Sequence, residues 1–117
     1  EYIRKIIEYY HSVLNELNLE YVIFGHLGDN HVHVNIVPKN MEEFHLGEEV
    51  YEKFARKVVE FGGSISGEHG VGKIKKQYLK IMYSQEDLNE MRRIKKTLDP
   101  SLILNYGNII DLEEESD

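Results

Sequence analysis

Four side chains in two short stretches could do chemistry together. His26 and His33 lie in the run GHLGDNHVHVN, and Glu68 and His69 follow in the glycine-rich run GGSISGEHGVGK. Two imidazoles and a carboxylate form a His2Glu set, the kind that holds Zn or a similar divalent ion while leaving coordination positions open. A 2-hydroxy acid can fill those positions with its hydroxyl and one carboxylate oxygen, so that the ion lowers the hydroxyl pKa. His69 is then the spare base that takes the proton, and the pattern points to metal-assisted proton abstraction. The plainer alternative is that these are ordinary strand and loop histidines. His31 shares a strand face with His33 and competes with it for space, so it is read as an outer neighbour of the ligands or as solvent-exposed. His11 and His45 fall on helices and are read as surface residues.

The elements that must position these groups are legible as changes of period. Ile3, Ile6, Ile7, Tyr10, Val13, Leu14 and Leu17 recur at helical spacing, which predicts an amphipathic helix from residue 1 to about 18. Tyr21 to Phe24 is a short apolar run with strand propensity. From His31 to Val37 the chain alternates, with Val32, Val34 and Ile36 on one face and His31, His33 and Asn35 on the other. Gly28-Asp29-Asn30 has turn chemistry, so an antiparallel hairpin is expected, with His26 and His33 close together. Asn40 with Glu43 forms a capping-box pattern that opens a helix to about Phe61, its buried stripe being Val50, Tyr51, Phe54, Val58 and Phe61. Gly62-Gly63 stops it. Gly67, Gly70 and Gly72 then require a sharply turning backbone around Glu68 and His69. Ser84 with Asp87 starts a last helix, with Leu88, Met91, Ile94 and Leu98 read as inward, and Asp99-Pro100 ends it. A turn at Asn105-Tyr106-Gly107 follows, and Asp111 to Asp117, with five acidic residues, is read as a solvated tail.

Composition narrows the function classes. A chain of 117 residues suits one small domain with a modest core, and its opening Glu-Tyr-Ile-Arg-Lys, already helical in pattern, suggests a piece of a longer protein. A formal charge of -7 argues against nucleic acid as a partner, because phosphate neutralisation needs clustered Lys and Arg. The absence of cysteine excludes a disulfide framework and a thiolate nucleophile and fits a reducing compartment. No apolar run approaches the ~20 residues of a transmembrane segment. The expectation is a cytoplasmic chain, at most peripheral to a membrane.

Two near matches compete. Gly67 to Lys73 has the glycine, four-residue gap, glycine, lysine of a phosphate-binding loop. Ile74 stands where a Ser or Thr should reach Mg, and Glu68 would repel phosphate, so that reading is rejected. HVHVNIV is similar to the histidine-triad nucleotide hydrolases and transferases, with Asn35 in place of the third histidine and His33 as the nucleophile it would require. A metal-dependent nucleotide hydrolase of that kind, or a non-catalytic metal-binding domain, is the alternative.

Three blocks together resemble the C-terminal domain of FAD-linked oxidases of the vanillyl-alcohol oxidase type. They are HLGDNHVHVN at 26 to 35, GGSISGEHGVG at 62 to 72 and IKKTLDPSLILNYGNI at 94 to 109. The resemblance is nearest to glycolate oxidase large subunits, D-lactate dehydrogenases and D-2-hydroxyglutarate dehydrogenases. It implies an α+β fold, a small antiparallel sheet packed by helices, as the ferredoxin-like cap portion of such an enzyme, over residues 1 to 110. It also implies that His26, His33 and Glu68 ligate a divalent ion (Zn, Mn or Fe), that His69 is the catalytic base, and that Asn35 binds substrate. Asn105 would face the flavin. FAD itself would be held mainly by a separate FAD-binding domain or subunit, with a small 2-hydroxy acid as substrate and an electron acceptor the residues do not identify. Asn30-His31 replaces the family's usual Gly-Asn, and Tyr106 and Asn108 replace a Pro and a Lys in its closing motif.

Overall fold

The computed structural model describes residues 2–112, so the acidic stretch read as a tail lies, from residue 113 onward, outside the described residues. The chain divides into two compact units, Glu1–Gly63 and Ser64–Asp117. Together they carry the expected α+β composition: α1 (Tyr2–Glu16), β1 (Tyr21–His26), β2 (His31–Ile36), α2 (Met41–Glu60), a single turn α3 (Leu79–Met82) and α4 (Gln85–Leu98). β1 and β2 form a two-stranded antiparallel sheet. No helix among the described residues is long and apolar enough to cross a membrane.

The first unit is built around a cluster of Ile6, Tyr10, Leu14, Leu19, Val50 and Phe54. α1 contributes every third or fourth residue to it, and its end is closed by the chain itself. Asn18 takes a left-handed φ of 52°. Its N–H donates to the Asn15 carbonyl at 3.1 Å, and the Leu19 N–H donates to the Leu14 carbonyl at 3.0 Å. These two bonds satisfy carbonyls that a helix end leaves without partners, with Asn in the position glycine usually takes. They also turn Leu19 back into the core beside Leu14. The inner face of the hairpin, Tyr21, Ile23, Val32, Val34 and Ile36, packs on the same cluster.

α2 opens as the sequence suggests. The Asn40 side chain accepts from the Glu43 N–H at 2.8 Å, and Glu43 Oε2 accepts from the Lys39 N–H at 2.8 Å, one residue before the cap. Val50 and Phe54 are buried, and Val58 and Phe61 pack against the cluster. Tyr51 has a different task from the packing expected of it. Its ring is 37% exposed, and its hydroxyl donates to the Val34 carbonyl at 2.9 Å and accepts from the Ile36 N–H at 3.3 Å. This satisfies backbone groups on the outer edge of β2 that would otherwise offer a template for another strand. The helix ends where the Gly62 and Gly63 N–H groups donate to the Val59 and Val58 carbonyls, each at 2.8 Å.

The second unit has a smaller apolar cluster, Leu79, Leu88 and Ile110, with Ile65, Val71, Met91 and Leu112 against it. α4 begins with the expected capping box, Ser84 and Asp87 bonding reciprocally. Its inward stripe differs from the apolar one expected. Leu88 and Met91 pack inward, but Ile94 is 51% and Leu98 79% exposed. The buried polar positions are Arg92 and Asp99, because this unit ties its irregular segments together with charged groups. Arg92 Nε donates to the Asp111 carbonyl at 2.7 Å. Lys95 Nζ donates both to Asp99 Oδ2 and to the Leu104 carbonyl, each at 2.6 Å. Asp99 also accepts from the Ile103 and Leu104 N–H groups at 3.3 and 3.0 Å. The turn that carries Asn105 is therefore moored to the end of α4 by one carboxylate and one ammonium.

Two pH responses follow from these cores. Burial of the hydroxyl, reinforced by the neighbouring Tyr9, pushes the Tyr10 pKa up from 10.0 to about 12. The folded chain keeps a proton that the unfolded chain releases, so this stabilisation is complete below about pH 10 and is lost as pH rises through about 12. The denaturation midpoint of the first unit is expected to drop over that range, less steeply in Tyr10→Phe; equal slopes would remove Tyr10 as the cause. The Lys95 hydrogen bond, opposed by desolvation and helped by the Leu104 and Ile103 N–H groups, holds the Asp99 carboxyl below its ordinary range. A depressed carboxylate stabilises above the unfolded value near ~3.9, and that contribution is lost as pH falls through the lower folded value. In Asp99→Asn the acid-side loss of stability in the second unit is expected to shrink, measured by denaturant titration from neutral to acid pH.

Candidate functional site

The hairpin sorts its residues by the antiparallel register. Val22 pairs with Asn35, Phe24 with His33, and His26 with His31. Directly paired residues point to the same side, so Val22, Phe24, His26, His31, His33 and Asn35 share the face turned away from the core. The four residues between the strands set this pairing. Leu27–Asp29 form one turn of 3-10 helix, and Asn30 closes it with a left-handed φ of 54°, its N–H donating to the Leu27 carbonyl at 3.3 Å.

His26 and His33 are therefore diagonal neighbours, and His31 stands beside both. The His31 and His33 ring centroids are 4.5 Å apart, and those of His26 and His31 are 5.8 Å apart. Phe24 stacks on His33 at 5.0 Å with planes 22° apart, which gives that ring a defined orientation. Asn35, two residues beyond His33, is exposed on the same face. His31, expected as an outer neighbour of His33 or as solvent-exposed, stands half-buried beside both rings, and Phe24 joins the same face without having been expected there. Period-2 alternation carried the signal for His31, but its place opposite His26 depends on the turn having four residues.

Glu68 and His69 occupy the glycine-rich segment of the second unit, exposed and adjacent, with His69 Nε2 3.4 Å from Glu68 Oε1. Gly67 and Gly70 bracket the pair with φ of 53° and 70°, angles that residues with a Cβ rarely adopt. The segment is anchored at its far side, where the Ile109 N–H donates to the Gly72 carbonyl at 2.9 Å. Asn105 is exposed in a turn with φ of 47°, its carbonyl accepting from the Asn108 N–H at 3.1 Å. His11 and His45 are surface residues as expected: His11 Nδ1 lies 2.6 Å from the Tyr21 hydroxyl, and His45 Nδ1 3.2 Å from Glu48.

In chemical terms, the outward hairpin face offers imidazole nitrogens and one amide, a set suited to a borderline divalent ion and to a ligand carboxylate. The glycine-rich segment offers a carboxylate and an imidazole with room for close approach. Asn105 presents a carboxamide on a turn that Asp99 and Lys95 hold in place.

Comparison with known proteins gives these groups a context. A family model described as FAD linked oxidases, C-terminal domain, matches residues 1–109. The glycolate oxidase subunit GlcD of Bacillus subtilis is 34% identical over 104 residues, which cover 84% of this chain and 22% of that protein. A D-2-hydroxyglutarate dehydrogenase of Xanthomonas citri is 37% identical over 101 residues, 83% of this chain and 21% of that protein. A D-lactate dehydrogenase of Anaerostipes hadrus is 36% identical over 110 residues, 92% of this chain and 23% of that protein. The chain thus spans about a fifth of the length of these curated relatives.

The imidazole face depends on a backbone approach that can be tested. Gly25 has φ of 152°, and a Cβ there would lie 2.3 Å from the His31 carbonyl oxygen. Gly25→Ala is expected to push β2 away, shift the ring resonances of His26, His31 and His33, and cost roughly 1–3 kcal/mol. Gly28→Ala, whose Cβ would meet nothing within 4 Å, is the matched control and is expected to leave those resonances in place.

Proposed function

The chain belongs to the family of FAD-linked oxidase C-terminal domains, and from that membership we propose that residues 1–110 are the substrate- and metal-binding cap portion of a flavin-dependent 2-hydroxy acid dehydrogenase or oxidase. The named relatives act on glycolate, D-lactate and D-2-hydroxyglutarate, by their names. All three compounds carry a hydroxyl next to a carboxylate, and that shared group is the substrate class assigned to this chain. Membership also sets aside the histidine-triad alternative, whose fold and phosphate chemistry belong elsewhere. The partner in this reading is an FAD-binding domain or subunit.

The observation that carries the reading is the sorting of one strand face: His26, His33 and Asn35 emerge together on the side of the hairpin opposite the core. The donor set fits a divalent ion of the Zn, Mn or Fe type, with His26, His33 and Glu68 as its ligands. Asn105, exposed and held by its turn, suits a contact with the flavin. When bound, FAD supplies the hydride acceptor, and the divalent ion supplies a Lewis acid for the substrate hydroxyl oxygen.

The chain's own residues then do the following. The Asn35 carboxamide donates to the substrate carboxylate and fixes which face of C2 is presented. His69 takes the hydroxyl proton on a ring nitrogen as the C2 hydrogen leaves as hydride to the flavin, so that the alcohol loses one proton and one hydride, two electrons and two protons in all, and becomes the 2-oxo acid. Glu68, 3.4 Å from His69 Nε2, restrains the orientation of that ring as well as serving the ion. Gly67 and Gly70 let the backbone bring both side chains close to a ligand without Cβ obstruction.

The roles separate under mutation. Titration of metal-free protein with Zn and with Mn is expected to show one-to-one binding in wild type, weakened in Glu68→Ala and His33→Ala. His69→Ala is expected to bind metal as wild type does and to lose turnover in the complete flavoenzyme. Equal loss of metal in all three variants would sink this division of roles.

A further inference from the structure

The three imidazoles His26, His31 and His33 share the outward hairpin face. His31 and His33 alternate along β2 and point the same way, with ring centroids 4.5 Å apart, and His26 faces His31 across the ladder at 5.8 Å. A ring nitrogen binds a zinc-like ion at about 2.0–2.1 Å and the ring centre lies about 1 Å further out, so two imidazoles on one tetrahedral ion have centroids about 5 Å apart. The two observed separations, 4.5 and 5.8 Å, lie on either side of that value, and bringing all three rings onto one ion requires rotation about the side-chain torsions, of His26 above all. Chain connectivity helps as well: the donors come from one strand and its immediate neighbour across a four-residue turn, so little loop entropy is lost on closing the chelate.

We infer that His31 supplies a third imidazole to the ion, so that the hairpin by itself presents three nitrogen donors. This rests on the reading that His26 and His33 are ligands; what it adds is the third nitrogen and a consequence for metal choice. Exchanging an oxygen or water position for an imidazole favours Zn, Ni, Cu and Fe over Mg, Ca and Mn, which prefer oxygen. His31 is half-buried between its two neighbours, which limits the positions its ring can take. Phe24 does the same for His33 by stacking.

The test is zinc K-edge X-ray absorption on the zinc-loaded full chain, which counts imidazole ligands from their multiple-scattering signal, paired with zinc and manganese titrations. Wild type, His31→Asn and His69→Ala are compared, with far-UV circular dichroism to verify the fold. The inference expects three imidazoles in wild type and His69→Ala, two in His31→Asn, and a loss of zinc affinity of roughly tenfold or more in His31→Asn with manganese much less affected. Two imidazoles in both wild type and His31→Asn, with unchanged affinity, would overturn the third ligand and leave the two-histidine reading standing. A count that falls in His69→Ala and not in His31→Asn would give the third nitrogen to His69 and overturn the inference. Wild type that binds no zinc would overturn both.

Discussion

The register of a six-residue antiparallel ladder is the constraint on which the rest depends. With Tyr21 opposite Ile36 and His26 opposite His31, the ladder puts Tyr21, Ile23, Val32, Val34 and Ile36 on one side and the three imidazoles, with Val22, Phe24 and Asn35, on the other. Because the side-chain period is two, a slip of one residue would carry Val32, Val34 and Ile36 out of the core and drive His31 and His33 into it. Burying imidazoles and exposing three branched aliphatic side chains are both unfavourable, so the core and the outward face favour the same register. The 3-10 turn with left-handed Asn30 at its end and the close approach of Gly25 to the His31 carbonyl add local geometry to that choice.

A two-stranded sheet is marginal by itself, and the first unit supplies what it lacks. α1 and α2 provide the apolar surface that the inner face covers, and the Tyr51 hydroxyl occupies polar groups on the outer edge of β2. The helices are terminated by hydrogen-bonded turns at Asn18 and at Gly62-Gly63, which deliver the chain into β1 and into the glycine-rich segment. The second unit works differently. Its apolar cluster is small, and irregular backbone is held by charged side chains that accept or donate several bonds each, Asp99 and Arg92 above all. Such a network stabilises only while its groups keep their charges, whereas the aromatic and aliphatic contacts of the first unit are indifferent to acid.

This contrast suits the chemistry proposed for each unit. Metal ligands must be held within a few tenths of an ångström, and strands do that better than loops. A base and a ligand that serve a substrate need close backbone approach, which the glycines around Glu68 and His69 permit. The outward hairpin face also explains why exposed Phe24 and Val22 sit among polar groups: an aromatic wall beside an imidazole orients the ring and lowers the local polarity that a bound ligand meets.

Much of this was legible before any coordinates. Helical spacing in α1 and α2, the cap pairs Asn40–Glu43 and Ser84–Asp87, the alternation of β2 and the three motif blocks each rest on local rules that a linear chain displays. The inward face of α4 was not legible, because periodicity marks Ile94 and Leu98 as apolar without revealing that Arg92 and Asp99 have backbone partners to reach. Nor was the task of Tyr51, whose ring matches an apolar stripe while its hydroxyl has a strand edge to satisfy. The sequence by itself determined which residue types are present for chemistry and which strand face they share, since alternation is a property of the backbone. Only the tertiary structure decided which imidazoles stand side by side, because that depends on a pairing offset set by turn length and core burial together.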